Sequence, residues 1–240
     1  MITQMYPEVS MRPPEGVAHR ILHIVLLVDI SGSMRVDGKI EALNQGVQNA
    51  LPEIRKTAKG HPEAKINLMA ISFGDNANVV VEPTPLESFV WHDIRAENEG
   101  TNMGAAFEKA AEEFDKLTAT RGYPPVVGLI SDGGASHNWR PGAERLLRTW
   151  WGKHAQRVAI AIGQAADLRM LHEFMGGDPE RPPLYANTPH KLCEALRFVT
   201  VEMSQAVIKS QSQVGSSGVV MNLPAVPASL KPTGASWVKP

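Results

Sequence analysis

The chain reads as an α/β protein: a mostly parallel central sheet with one antiparallel edge strand and helices on both faces. Three observations lead there. Residues 23–28 (HIVLLV) form a nearly unbroken aliphatic run, which suits a strand buried on both faces of a parallel sheet. Similar short runs recur at 126–131 (VVGLIS) and 157–162 (RVAIAI). Between them lie stretches with apolar residues at helical spacing, and this alternation builds a sheet covered by helices.

Taken in order, the first strand is followed by a helix from Lys39, whose stripe of Ile40, Leu43, Val47, Leu51 and Ile54 can cover the sheet. Pro52 is expected to bend or end it. Residues 65–73 (KINLMAISF) and 78–82 (NVVVE) read as strands joined through Gly74-Asp75-Asn76, a turn that makes an antiparallel hairpin and leaves the second strand at an edge. A second helix carries Met103, Phe107, Ala110, Phe114 and Leu117, opened by Thr101-Asn102 and closed near Gly122. After the strand at 126–131 come a helix around 142–151, the strand at 157–162, a helix at about 166–175 and a weak strand at 184–186. A last helix presents Leu192, Leu196, Val199, Met203 and Val207.

The chain has 240 residues, 43% apolar and 20% charged, which is material for one core. The expected organisation is an N-terminal lead at 1–20, a domain at 21–208 and a flexible Ser/Gly/Pro-rich tail at 209–240. Val219, Val220, Met221, Leu223 and Trp237 are points where the tail could anchor instead. The net charge of −1, without a long Lys or Arg run, argues against nucleic acid or an anionic membrane as partner. Pro7, Pro13, Pro14 and Glu15 interrupt the lead where a secretion signal needs an apolar core, and no apolar stretch approaches the ~20 residues that cross a bilayer. A cytoplasmic protein is expected. The single cysteine, Cys193, excludes an internal disulfide and reads as a small buried hydrophobe.

The chemistry concentrates where the first strand ends, in Asp29-Ile30-Ser31-Gly32-Ser33-Met34. In open α/β sheets ligands bind beyond the carboxyl ends of strands, and this run puts one carboxylate and two hydroxyls there. Alternate positions of an extended loop point the same way, so Asp29, Ser31 and Ser33 can converge on one ion with the oxygen coordination that Mg2+ prefers. Two more segments end at the same edge in the expected winding. Thr101 precedes a helix and Asp132 terminates a strand, so three loops supply five oxygen-bearing groups. Taken singly, Thr101 could be a helix cap and Asp132-Gly133 a turn.

Asp-x-Ser-x-Ser at 29–33, Thr101 and Asp132 together resemble the complete metal ion-dependent adhesion site (MIDAS) of the von Willebrand factor type A (VWA) family. The resemblance covers about residues 20–207 and implies the three-layer, Rossmann-like fold of that family. Within it, the wording HIVLLVDISGSM is most similar to bacterial TerY-like proteins of tellurite resistance and stress response. What the resemblance implies is that Asp29, Ser31, Ser33 and Thr101 surround Mg2+, or Mn2+ or Ca2+, directly or through water. Asp132 would ligate or hold a coordinated water. The sixth position would take an acidic side chain from a protein partner, in TerY-like systems a kinase or phosphatase.

Asn98, Glu99, His137 and Trp139 flank the site and are candidate partner contacts, Trp139 as an exposed aromatic anchor; Trp150 and Trp151 are expected to pack on the sheet. The leading expectation is a metal-dependent adaptor without catalysis of its own. One alternative is a metal-dependent phosphoryl-transfer or hydrolytic enzyme using Asp29, although Ser31 stands where a phosphoaspartyl enzyme would carry a second acid, and no Gly-x-Ser-x-Gly elbow occurs. Another is an accessory subunit of a chelatase or ATPase; the chain itself has no P-loop.

Overall fold

The computed structural model describes residues 20–97, 100–117, 122–135, 137–212 and 222–232. The strands are β1 (Arg20–Asp29), β2 (Ala64–Phe73), β3 (Ala77–Pro85), β4 (Val126–Ser131), β5 (Gln156–Ile162) and β6 (Leu184–Ala186). They form one sheet in the order β3-β2-β1-β4-β5-β6, parallel throughout except for β3 against β2. The expected α/β architecture with one antiparallel edge strand is therefore the one adopted. β1 starts three residues before its aliphatic run, because Arg20 and Ile21 pair with Ala64 and Lys65 at the start of β2.

Alternate residues of the buried strands serve two cores. Leu22, Ile24, Leu26 and Val28 of β1 face helix α1 (Lys39–Gly60) and the C-terminal helical run, α6 (Pro189–Arg197), a π-helical turn (Phe198–Glu202) and α7 (Met203–Ser212). Val25 and Leu27 face the other way, toward α2 (Met103–Lys116), α3 (Arg140–Arg148) and α5 (Leu168–Met175). Each such fully buried aliphatic side chain contributes about 1.5–3 kcal/mol relative to exposure. α1 runs on through Pro52 rather than ending there, since Pro52 lies on the exposed face while Leu51, Ile54 and Thr57 continue the buried stripe.

Two departures from the expected elements have local causes. The helix expected around 142–151 breaks at Thr149, whose extended backbone and hydroxyl, accepting from the Gly152 amide, start a separate short helix α4 (Trp150–His154). Trp150 is consequently 65% exposed rather than packed on the sheet, while Trp151 is buried and meets His23 edge-on. Within the expected tail, residues 222–232 pack on the domain. Val226 and Leu230 are buried in the α1-side core, Leu223 packs against it, and Ser229 donates to Glu194 at 2.6 Å. Widely spaced apolar residues show no helical period, yet each can fill one gap. The lead at 1–19, the tail at 213–221 and 233–240, and the anchors Val219, Val220, Met221 and Trp237 lie outside the described residues. Among the described residues, no helix is long and apolar enough to cross a membrane.

At the amino end of the sheet, His23 is buried against Trp151, and burial lowers its pKa from 6.5 to about 4. The imidazole is thus neutral in the fold and charged in the unfolded chain over that interval, so its contribution holds above pH 6.5 and is lost as pH falls toward 4. The shift corresponds to a loss on the order of 3 kcal/mol. Denaturant unfolding from pH 7 to 4 should show a shallower fall in stability for His23→Phe than for the wild type; equal slopes would contradict this assignment.

Candidate metal centre

The sheet order places β1 and β4 side by side, with α1 leaving β1 to one face and α3 leaving β4 to the other. Where consecutive connections diverge in this way, a crevice opens beyond the strand ends. Asp29 terminates β1 and Asp132 directly follows Ser131 at the end of β4, so two carboxylates lie at these neighbouring strand ends, both essentially inaccessible to solvent.

Each oxygen of Asp29 is held. Oδ1 accepts from the Ser31 amide at 2.8 Å, and Oδ2 accepts from the Ser131 hydroxyl at 2.5 Å. Ser31 Oγ lies 3.1 Å from Ser33 Oγ, and Ser33 Oγ donates to Asp132 Oδ1 at 2.7 Å. The other oxygen of Asp132 accepts from Lys39 Nζ at 2.7 Å, and the same ammonium donates to the Ser33 carbonyl at 3.2 Å. The structure thus joins Ser31, Ser33 and Asp132 in one network, with Asp29 anchored at its base. Burial raises the pKa of Asp29, and the nearby Asp132 charge raises it further, against the lowering effect of the bonds from Ser131 and Ser31.

Thr101 comes from a third loop. The cap of α2 is its neighbour Asn102, whose side chain accepts from the Ala105 amide, so the Thr101 hydroxyl is not consumed as the helix cap. Thr101 is buried, and its loop is pinned to the β2–β3 turn: Asn102 N donates to the Gly74 carbonyl at 2.6 Å and Gly100 N to Asp75 Oδ1 at 3.0 Å. Since β2 pairs with β1 up to Phe73 opposite Asp29, this turn carries the Thr101 loop to the same edge. α2 and α3 are also locked together near their starts, where a Cβ on Gly142 would overlap the Gly104 carbonyl. The helices behind Thr101 and Asp132 therefore meet backbone to backbone.

Of the flanking residues, His137 is exposed on the loop after Asp132. Trp139 is not the exposed anchor expected: it is 8% exposed, meets Phe107 edge-on and lies under the Arg140 guanidinium, because the ring caps the α2-side core where α3 begins. Asn98 and Glu99 lie outside the described residues. Sequence reasoning missed three residues that organise the site. In the sequence Ser131 reads only as a strand end, Asp75 only as a turn residue, and Lys39 only as the start of a helix. A hydroxyl at the end of an otherwise aliphatic buried strand was the one available signal.

The donor chemistry fits a hard divalent cation. The groups are carboxylate and hydroxyl oxygens, the donors that such an ion prefers. Two buried carboxylates with one ammonium leave uncompensated negative charge, which is costly to bury unless a cation offsets it. Asp29→Asn should accordingly leave the metal-free protein equally stable or more stable in thermal unfolding, while abolishing stabilisation by added divalent ions. Because protons compete at Asp29, the metal-induced gain in the wild type should also shrink as pH falls through its raised pKa. A markedly less stable metal-free Asp29→Asn would count against this charge assignment.

No curated protein matches the sequence. The von Willebrand factor type A domain family matches residues 24–135. Similar solved structures include the ArnB paralog VWA2 from Sulfolobus acidocaldarius, at 18% identity and a TM-score of 0.54 over 75% of this chain and 45% of that one. A von Willebrand factor type A protein from Catenulispora acidiphila gives 17% identity and 0.55 over 78% of this chain and 43% of the other. Proximal thread matrix protein 1 from the mussel byssus, with a zinc-occupied MIDAS motif, gives 14% identity and 0.57 over 78% and 49%. The chain thus spans less than half the length of each of these structures, and at such identities the likeness is one of fold. From β1 to the loop after β4 the chain is thus similar to the von Willebrand factor type A family, and the fold it shares with these structures is that of such a domain.

Proposed function

We propose that the domain is a metal-dependent protein-binding module that recruits its partner through an acidic side chain. VWA domains are a metal-binding, protein-interaction fold. The observation that carries the reading here is the pair of buried carboxylates at the ends of β1 and β4, surrounded by hydroxyls. Asp29, Ser31, Ser33, Thr101 and Asp132 would hold the ion, and Mg2+ suits oxygen donors that leave positions to water or to a ligand. The ion would supply a positive centre at the sheet edge. A carboxylate from a partner then completes its shell through a charge-assisted contact.

The reading is one of binding without turnover. The network around Asp29 consists of carboxylates, hydroxyls, amides and one ammonium, the inventory of a cation cradle. The wording HIVLLVDISGSM supports placing the domain in a TerY-like stress or tellurite-resistance system with kinase and phosphatase partners, and a cytoplasmic site fits that role.

Affinity capture from the native host, with wild type, wild type in EDTA and Asp29→Ala, tests the proposal. Proteins retained by the wild type with Mg2+ should be lost in both other arms, and the purified partner should bind at least about 10-fold more weakly without metal. The same partners bound equally in all three arms would refute metal-dependent recruitment.

A further inference from the structure

Lys39 has no place in the five-group pattern, yet its ammonium lies inside the network. It donates to Asp132 Oδ2 at 2.7 Å and to the Ser33 carbonyl at 3.2 Å, with the lysine side chain 20% exposed and that of Asp132 fully buried. Its placement is built by the backbone. Asp37 (φ 58°) and Gly38 (φ 67°) are consecutive left-handed residues immediately before it, and Asp37 is the one non-glycine with positive φ among the described residues. Such a conformation is strained for a residue with a Cβ and persists where its surroundings hold it. Lys39 is also the first residue of α1, where a cation is opposed by the helix dipole. A strained turn and an unfavourable helix position both serve to bring one ammonium to Asp132.

We infer that Lys39 is a tethered counter-charge that lowers the centre's affinity for its divalent ion and raises the loaded centre's affinity for a carboxylate ligand. This rests on the metal-binding reading above. Two carboxylates and a divalent ion alone would form a neutral centre, with little electrostatic demand for an anion. Lys39 leaves the loaded centre with a net positive charge, and a positive charge close by opposes the divalent metal while it favours the anion.

The test uses the full chain, Mn2+ as the metal and acetate as the carboxylate. Free Mn2+ is followed by electron paramagnetic resonance, and acetate binding to the Mn2+-loaded protein by water-proton relaxation. Lys39→Gln, which keeps a donor and removes the charge, should bind Mn2+ about 10-fold more tightly and acetate about 10-fold more weakly at low ionic strength. Lys39→Met should shift both in the same directions, and Lys39→Arg should stay near the wild type. A residue that merely holds Asp132 in place would weaken both affinities together when replaced; that outcome, or no change in either, overturns the inference while leaving the metal reading intact. Failure of the wild type to bind Mn2+ overturns both.

Discussion

Two carboxylates buried side by side are a cost that the rest of the domain must organise around. Asp29 and Asp132 end adjacent parallel strands, and neither reaches bulk solvent. The fold meets the cost with fixed dipoles and one ammonium: a backbone amide and the Ser131 hydroxyl on Asp29, and the Ser33 hydroxyl and Lys39 on Asp132. The raised pKa of Asp29 indicates that this compensation is incomplete. In a domain built only for stability, a well-packed apolar pair would serve better. On the function proposed above, the remaining electrostatic tension is what would draw a cation to the strand ends.

Holding that arrangement requires a rigid scaffold, and the sheet order provides it. α1 and α3 depart to opposite faces from neighbouring strands, which leaves the ends of β1 and β4 to the loops that follow them. The loops above are then tied down individually. The loop after β1 is held by the Ile30 amide on the Phe73 carbonyl and by the Met34 amide on the Ser31 carbonyl. The Thr101 loop is clamped by Asp75, and the contact of Gly104 with Gly142 fixes α2 against α3. Loops so constrained keep their hydroxyls in place without depending on an ion to order them, which lowers the entropic cost of binding.

Much of this was legible in the sequence, for reasons that also explain what was not. Strands buried on both faces leave continuous aliphatic runs, so β1, β4 and β5 were readable from residues 23–28, 126–131 and 157–162. The site was readable because Asp29, Ser31 and Ser33 follow such a run at alternating positions. Trp139 and Trp150 were exchanged in role, since exposure depends on where Thr149 breaks a helix, and hydrophobicity alone is silent on that. Docking of Val226 and Leu230 was hidden because isolated apolar residues carry no period. Lys39 was hidden for a different reason: it reaches Asp132 across 93 residues, a contact created entirely by tertiary structure.

On the proposed function, the groups at the ends of β1 and β4, with Thr101 beside them, hold a single divalent ion. A crystal of the protein grown with Mn2+ and measured for anomalous scattering tests it most directly. One strong anomalous peak is expected within bonding distance of the Ser31 and Ser33 hydroxyls, adjacent to Asp29 and Asp132. A fully occupied crevice of ordered water with no peak, or a peak seated elsewhere on the domain, would contradict it.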